Sequence, residues 1–103
     1  MIRHFVLIRF RSTFSKVERE KLFDAFSLLK NQLTVIRDLQ FRANVSFEDH
    51  VKHNFNDALI PDFEDAAARD AYLVDLRHQA VGAQLVSAAE GGLNGIVVFD
   101  MED

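Results

Sequence analysis

The sequence contains no cysteine and no tryptophan, and only one proline and four glycines occur among its 103 residues. Without cysteine the chain can form neither disulfide bonds nor thiolate metal sites, and it has no cysteine nucleophile. No apolar run reaches the roughly 18 residues of a membrane span, and no basic, apolar leader opens the chain. We therefore expect a cytoplasmic protein, without a membrane partner, whose fold is held together by burial alone.

The charged residues are not concentrated in one segment or biased toward the basic side. The sequence has twelve Lys and Arg residues and sixteen Asp and Glu residues, which gives a formal net charge of −4. Nucleic-acid-binding surfaces need clustered cations, so no nucleic acid is expected as a partner. Gly91, Gly92 and Gly95 follow a predicted helix rather than precede one, which disfavours a phosphate-binding loop. The hydrophobic content of 49% suffices for the core of a single domain over residues 1–103.

Hydrophobic periodicity predicts seven elements in the order β-α-β-β-α-α-β. Apolar residues alternate in the predicted strands and recur every three or four positions in the predicted helices. Ser15 and Glu18 have the spacing of a capping box, and Gly91 and Gly92 are expected to stop the last helix. The polar residues 46–54 are expected to form a loop. The predicted strands cover residues 1–11, 35–45, 55–63 and 95–101, and the predicted helices cover residues 15–33, 64–73 and 77–89.

This order favours an α+β fold with a ferredoxin-like, four-stranded antiparallel sheet and helices on one face. The other face of the sheet would carry large apolar side chains from the first, third and fourth strands: Phe5, Leu7, Ala58, Ile60, Val97 and Phe99. Such a patch is too apolar to face water, so a second copy of the chain is expected to cover it. The predicted assembly is an isologous homodimer that forms a dimeric α/β barrel.

Five segments of the chain together form a recognisable pattern over nearly its whole length: Ile2–Phe10, Asn44–Ser46, Asp62–Asp65, Ala71–Leu73 and His78–Val81. In order and spacing they resemble the stress-responsive A/B barrel domain (Dabb) family. The resemblance implies a ferredoxin-like protomer, a barrel-forming homodimer, and a distant similarity to a plant polyketide cyclase that closes a ring by aldol condensation. Asp57 and Asp75 depart from the family pattern, which usually has histidine at both positions.

Four residues are candidate catalytic groups: His78, Tyr72, His4 and Asp57. The resemblance implies that His78 acts as general acid and base beside Tyr72, a role that suits imidazole near neutral pH. His4 matches a pocket histidine of the family, and a hydrogen-bonded core histidine is the alternative interpretation. Asp57 is a carboxylate on an apolar strand face, so it needs a partner, for which His78 or a pocket water is predicted. A direct contact between Asp57 and His4 is not expected, because antiparallel pairing of the first and third strands should place His4 opposite the neighbourhood of Pro61.

An apolar pocket is expected between the sheet and the helices, and two functions fit it. In the first, Tyr72 and His78 exchange protons with a small hydrophobic carbonyl or phenolic compound, without a cofactor. In the second, the protein is a non-catalytic, stress-associated dimer that acts by assembly or partner binding, with Phe side chains filling the pocket. A cofactor-free oxygenase is a third possibility, by analogy of fold alone. The predicted pocket residues are Val6, Ile8, Phe23, Phe26, Leu73 and Val81.

No metal site is expected from the side chains. His50 and His53 lie near Glu48 and Asp49, but two histidines three residues apart in a polar loop lack the further converging ligands of a metal site. A solvated loop is the prediction for this segment. The resemblance also implies a possible cation site on backbone carbonyls where the first helix ends, here around Lys30, Leu33 and Ile36, and such ligands leave no pattern of side chains in a sequence.

Overall fold

The computed structural model describes residues 1–103 and confirms the predicted order of the seven main elements. A single helical turn within the predicted polar loop and a 3-10 turn at Gly92–Gly95 are additions. The four strands form one antiparallel sheet in the order β2-β3-β1-β4, which is the ferredoxin-like arrangement. The elements are β1 (Ile2–Ile8), α1 (Lys16–Gln32), β2 (Ile36–Ala43), α2 (Asp49–Lys52), β3 (Asp57–Phe63), α3 (Ala66–Val74), α4 (Leu76–Ala88) and β4 (Ile96–Glu102).

Side-chain caps determine where the helices begin. The Ser15 hydroxyl accepts from the Glu18 N–H at 3.1 Å, and the Glu18 carboxylate accepts from the Ser15 N–H at 3.3 Å, which completes the predicted capping box of α1. Asp65 accepts from the Ala68 N–H at 2.8 Å and starts α3. Each cap satisfies a helix N–H that has no partner within the helix.

Asp75 separates α3 from α4, because its extended backbone ends one helix and its side chain starts the next. Its carboxylate accepts from the backbone N–H of Arg77 at 2.8 Å and from the Arg77 guanidinium at 3.1 Å. These hydrogen bonds to Arg77 lower the pKa of Asp75. Asp75 therefore acts as the helix cap at the junction of α3 and α4.

The core lies between the helices and one face of the sheet. Residues of β1 alternate between buried and half-buried, so the even-numbered side chains face the helices. Phe63, Leu59 and Ile8 from the sheet meet Phe26 of α1 and Tyr72 of α3 with almost no exposure to solvent. This single layer of apolar contacts supplies the burial that a chain without disulfide bonds requires.

The opposite face of the sheet is uncovered in the protomer. Phe99 is 61% exposed and Val97 is 43% exposed. Phe5 and Phe99 lie on neighbouring strands with their ring centroids 6.3 Å apart. The predicted apolar face therefore exists as a continuous surface.

The strands β1, β2 and β3 are shorter than predicted, and the ends of β1 and β3 form turns instead. After Ile8 the chain leaves the sheet, and the Arg9 carbonyl accepts from the Glu90 N–H at 2.7 Å. Gly95 allows this close approach, since a Cβ there would lie 2.4 Å from the Glu90 carbonyl oxygen. β3 begins at Asp57 rather than residue 55, because His53 and Asn54 have positive φ angles of 51° and 62°.

None of the helices combines the length and hydrophobicity needed to span a bilayer.

Candidate functional site between the sheet and helices α3 and α4

A cavity of about 330 Å³ lies between strands β1 and β4 and helices α3 and α4. Four polar side chains border it: His4, Tyr72, His78 and Asp100. Three of the four predicted catalytic residues therefore share one cavity, and their roles stay predictions. The remaining lining is almost entirely apolar: Val6, Phe26, Leu59, Leu73, Gly82, Leu85, Val86, Ile96 and Val98.

Tyr72 and His78 meet across the break between α3 and α4. Their ring centroids are 3.9 Å apart, at an interplanar angle of 37°. Burial raises the pKa of Tyr72, so the phenol keeps its proton at neutral pH and can donate a hydrogen bond. Burial lowers the pKa of His78, so the imidazole is neutral there and can accept a proton. The pair thus combines a proton donor and a base in one apolar environment.

The two ring nitrogens of His78 have different surroundings. Nδ1 is buried and lacks a hydrogen bond of good geometry, although the nearby Leu73 backbone acts on the ring and partly opposes the lowering of its pKa. Nε2 lies beside Gly82, where an added Cβ would be 3.9 Å away. Because Gly82 borders the cavity and carries no side chain, Nε2 is the nitrogen that a ligand reaches most directly.

His4 and Asp100 form a hydrogen-bonded pair across β1 and β4. The antiparallel register sets the two residues opposite each other, and His4 Nδ1 donates to one carboxylate oxygen of Asp100. The other oxygen accepts from Arg69 of α3 at 3.1 Å. An ionised carboxylate can only accept, so the His4 proton sits on Nδ1 and Nε2 is the basic nitrogen.

The ring of His4 is also fixed by aromatic packing. It lies edge-on to Phe63 and to Tyr72, each with ring centroids 6.4 Å apart. His4 is 6% exposed, so its position is determined by the core on one side and by Asp100 on the other. The histidine is hydrogen-bonded, as the core interpretation requires, and it also borders the cavity.

The family assignment comes from the sequence match over this fold. The sequence model of the stress responsive A/B barrel domain, Dabb, matches residues 2–103. The chain is a Dabb protein. No functionally curated protein matches it in sequence.

Solved structures share the Dabb fold over nearly the whole chain. A dimeric ferredoxin-like protein of unknown function from Jannaschia sp. CCS1 is 25% identical, with a TM-score of 0.87 over 99% of this chain and 98% of that chain. The At3g17210 protein of Arabidopsis thaliana is 17% identical, with a TM-score of 0.89 over 100% and 95% of the two chains. A hydroxynitrile lyase from Passiflora edulis is 17% identical, with a TM-score of 0.83 over 97% and 90%. Likeness at 17% identity shows the fold alone.

Asp100 and Arg69 are site residues that the sequence analysis of this Dabb chain missed. Asp100 follows Ile96 and Val98 at intervals of two, so the alternation of β4 already places it on the helix-facing side. A carboxylate at the end of an apolar strand face is therefore the sequence feature that could have identified Asp100 as a site residue. Arg69 had no such signal, because its link to Asp100 depends on how α3 packs against the sheet edge.

Asp57 does not join the cavity, and the prediction that it meets His78 is wrong. Asp57 is paired with Ile8 at the end of β1, whereas His4 lies near the start of that strand. The antiparallel register therefore carries Asp57 to the other end of the sheet, beside a separate polar depression of about 280 Å³ that also includes Arg19. Burial raises the pKa of Asp57, and the charge of Arg19 opposes this shift.

We expect Asp57→Asn to stabilise the protein at neutral pH. The pKa of Asp57 in the folded state lies above the unfolded value of 3.8, so the folded state binds the proton more tightly and loses stability as pH rises through this window. The amide removes the cost of ionisation at pH 7. Thermal unfolding should show a higher Tm than wild type at pH 7 and no such gain below pH 3.8, where both forms of the chain are neutral at this position. An equal or lower Tm at pH 7, with exposed Asp24→Asn as control, would contradict this.

The cavity is bordered by three of the six residues predicted to line a pocket. Val6, Phe26 and Leu73 border the cavity, whereas Ile8, Phe23 and Val81 do not. Ile8 is completely buried and Val81 packs against the core. Phe23 stacks on Phe41 of β2 with ring centroids 4.4 Å apart. These aromatic contacts fill the β2 side of the helix–sheet layer, so the open space lies toward β4.

Proposed function

We propose that this Dabb protein is a homodimer that binds a small hydrophobic carbonyl or phenolic compound and converts it by acid–base chemistry of His78 and Tyr72. The observation that carries the proposal is the single apolar cavity that brings His4, Tyr72, His78 and Asp100 together. An apolar chamber with a few converging polar groups is the usual form of a small-molecule site. Titratable groups with shifted pKa values at such a place favour chemistry over binding alone.

The proposed chemistry begins with proton removal next to a carbonyl. Neutral His78 takes the proton through Nε2, the C–H bond breaks, and its electron pair moves through the new C=C bond to the carbonyl oxygen. The Tyr72 hydroxyl, which stays protonated, donates a hydrogen bond to that oxygen as negative charge develops. The enolate then either regains the proton from protonated His78 or attacks a second carbonyl carbon. In the second case the attacked carbonyl oxygen becomes an alkoxide and takes that proton, which returns His78 to its neutral form.

His4 provides a second proton-exchanging group on the opposite wall. Asp100 holds its ring by accepting from Nδ1, and Arg69 holds Asp100 in turn. This chain of contacts leaves Nε2 of His4 available as a base or, once protonated, as a donor to an oxygen of the ligand. In the proposal His78 and Tyr72 act on the reacting carbon and its carbonyl, and His4 orients a second polar group.

The homodimer is supported by the exposed face of the sheet and by relatives of the same fold. The exposed face carries Phe5, Val97 and Phe99, which are costly to leave in water. The solved structures from Jannaschia sp. CCS1 and from Thermobifida fusca, the latter 20% identical, are both described as dimeric ferredoxin-like proteins. A two-fold interface joins this face to its own copy without any further partner.

The lyase of Passiflora edulis supports the enzymatic part of the proposal only at the level of the fold. Its name assigns it a reaction of hydroxynitriles, so the same fold carries an enzyme in another organism. One fold can carry many chemistries, so the substrate of that enzyme does not transfer to this chain.

Assembly alone is the second candidate function, and the exposed apolar face favours it. A dimer that acts only by association needs that face and has no need of the cavity. The two candidates differ in what the cavity does, because only the first requires a ligand that contacts His78.

The test is a thermal-shift screen of hydrophobic carbonyl and phenolic compounds on the wild-type protein and on His78→Ala. A ligand at about 100 times its Kd should stabilise the wild type by about 2.7 kcal/mol. A tenfold loss of affinity in His78→Ala would reduce that gain to about 1.4 kcal/mol. Gln79→Ala, on the exposed side of α4, is the matched control and should behave as wild type.

Two results of this screen would count against the proposal. A ligand that stabilises wild type and His78→Ala equally would remove His78 from the site. No stabilisation by any carbonyl or phenolic compound would leave assembly as the function. For a ligand that binds, deuterium exchange at the carbon next to its carbonyl, followed by NMR, should slow by about 100-fold or more in His78→Ala.

A further inference from the structure

Gly82 occupies a position in α4 where glycine weakens the helix. It lies one turn after His78, in the middle of Leu76–Ala88. Glycine in a helix interior is among the least favourable residues, and alanine is the most favourable. A Cβ added at Gly82 would meet no atom of the surrounding structure closer than 3.9 Å. Packing therefore gives no reason for the missing side chain.

The space above Gly82 opens onto the reactive side of His78. The atom at 3.9 Å from the added Cβ is His78 Nε2, and Gly82 borders the cavity. On its other side the His78 ring is covered by Tyr72. Gly82, Leu85 and Val86 border the cavity together with His78, so the surface next to Nε2 consists of the bare backbone of Gly82 and apolar side chains.

We infer that Gly82 determines ligand shape: its missing side chain leaves a flat space in which a planar ring lies against α4 with an oxygen at His78 Nε2. The inference rests on the proposed function and narrows its ligands to aromatic or ring-enol compounds with a carbonyl or hydroxyl at the ring edge. A rigid ring cannot bend around a methyl group at residue 82. An open-chain ketone can, because its single bonds rotate.

The test compares Gly82→Ala with wild type, using 4-hydroxyacetophenone as the planar probe and nonan-2-one as the open-chain probe. Titration calorimetry should show that the affinity of Gly82→Ala for the planar probe falls by about tenfold or more. Its affinity for nonan-2-one should change by less than about threefold. A larger loss for the planar probe than for the open-chain probe is the result that indicates shape selection. Gly82→Leu should bind neither probe, because its side chain fills the space.

The variant also carries its own control for folding. Gly82→Ala should raise Tm by about 4 °C through better helix propensity, so a loss of affinity could not come from unfolding. Ala80→Leu adds a larger side chain on the exposed side of α4 and should leave both affinities at the wild-type value.

The outcomes separate this inference from the proposed function. If the planar probe binds wild type, weakens in His78→Ala and is unaffected by Gly82→Ala, the inference is overturned and the proposed function stands. If Gly82→Ala weakens both probes equally, the cavity has lost volume and the claim of shape selection is overturned. If wild type binds neither probe and no other carbonyl or phenolic compound, the proposed function and the inference fall together.

Discussion

Phe99→Asp is expected to convert the proposed homodimer into a folded monomer. Phe99 lies on the uncovered face of the sheet, 61% exposed in the protomer and beside Phe5 on the neighbouring strand. A carboxylate there would be buried without a partner on both sides of a two-fold interface, which costs several kcal/mol. Light scattering should then give a mass near 11.8 kDa instead of twice that value.

The monomer should stay folded, because the core lies on the other face of the sheet. The buried side chains of Ile8, Leu59 and Phe63 do not depend on Phe99. Far-UV circular dichroism should therefore match the wild type, which separates dissociation from unfolding. Gln79→Glu adds the same charge on exposed α4 and should stay dimeric. A Phe99→Asp protein that keeps the dimer mass at micromolar concentration would rule this interface out.

Asp100→Ala is expected to reduce the stability of the fold, because it leaves the buried Nδ1–H of His4 without an acceptor. An unsatisfied buried donor costs about 1–3 kcal/mol. For a domain of this size the loss corresponds to a decrease in Tm of roughly 10 °C. Asp100→Asn retains an oxygen that can accept from Nδ1, so it should lose less than half as much.

Asp70→Ala is the matched control for this prediction. Arg69 contacts both Asp70 and Asp100, but Asp70 is exposed and has no contact with His4. If the prediction holds, Asp70→Ala unfolds near the wild-type temperature, and the NMR resonances of the His4 ring change only in the Asp100 variants. Equal losses of stability in Asp70→Ala and Asp100→Ala would show that the pair with His4 contributes nothing.

The register of the sheet explains why the candidate site was only partly predictable. His4, Tyr72 and His78 were found from their residue types and their resemblance to the Dabb pattern, and the structure brings them to one cavity. Asp57 had the same appearance in sequence as Asp100, a carboxylate on an apolar strand face. The antiparallel pairing carries Asp57 to the far end of β1 and sets Asp100 opposite His4.

By itself the sequence determined the order of the elements, the cap at Ser15, and the apolar face of the sheet that requires a partner. These features depend on alternation, helical spacing and hydrogen bonds between residues three apart, which are readable locally. Only the tertiary structure decided that His4 meets Asp100, 96 residues away, and that the open space lies toward β4. Such contacts depend on strand register and on how side chains from separate elements fill a shared volume, and no local pattern specifies either.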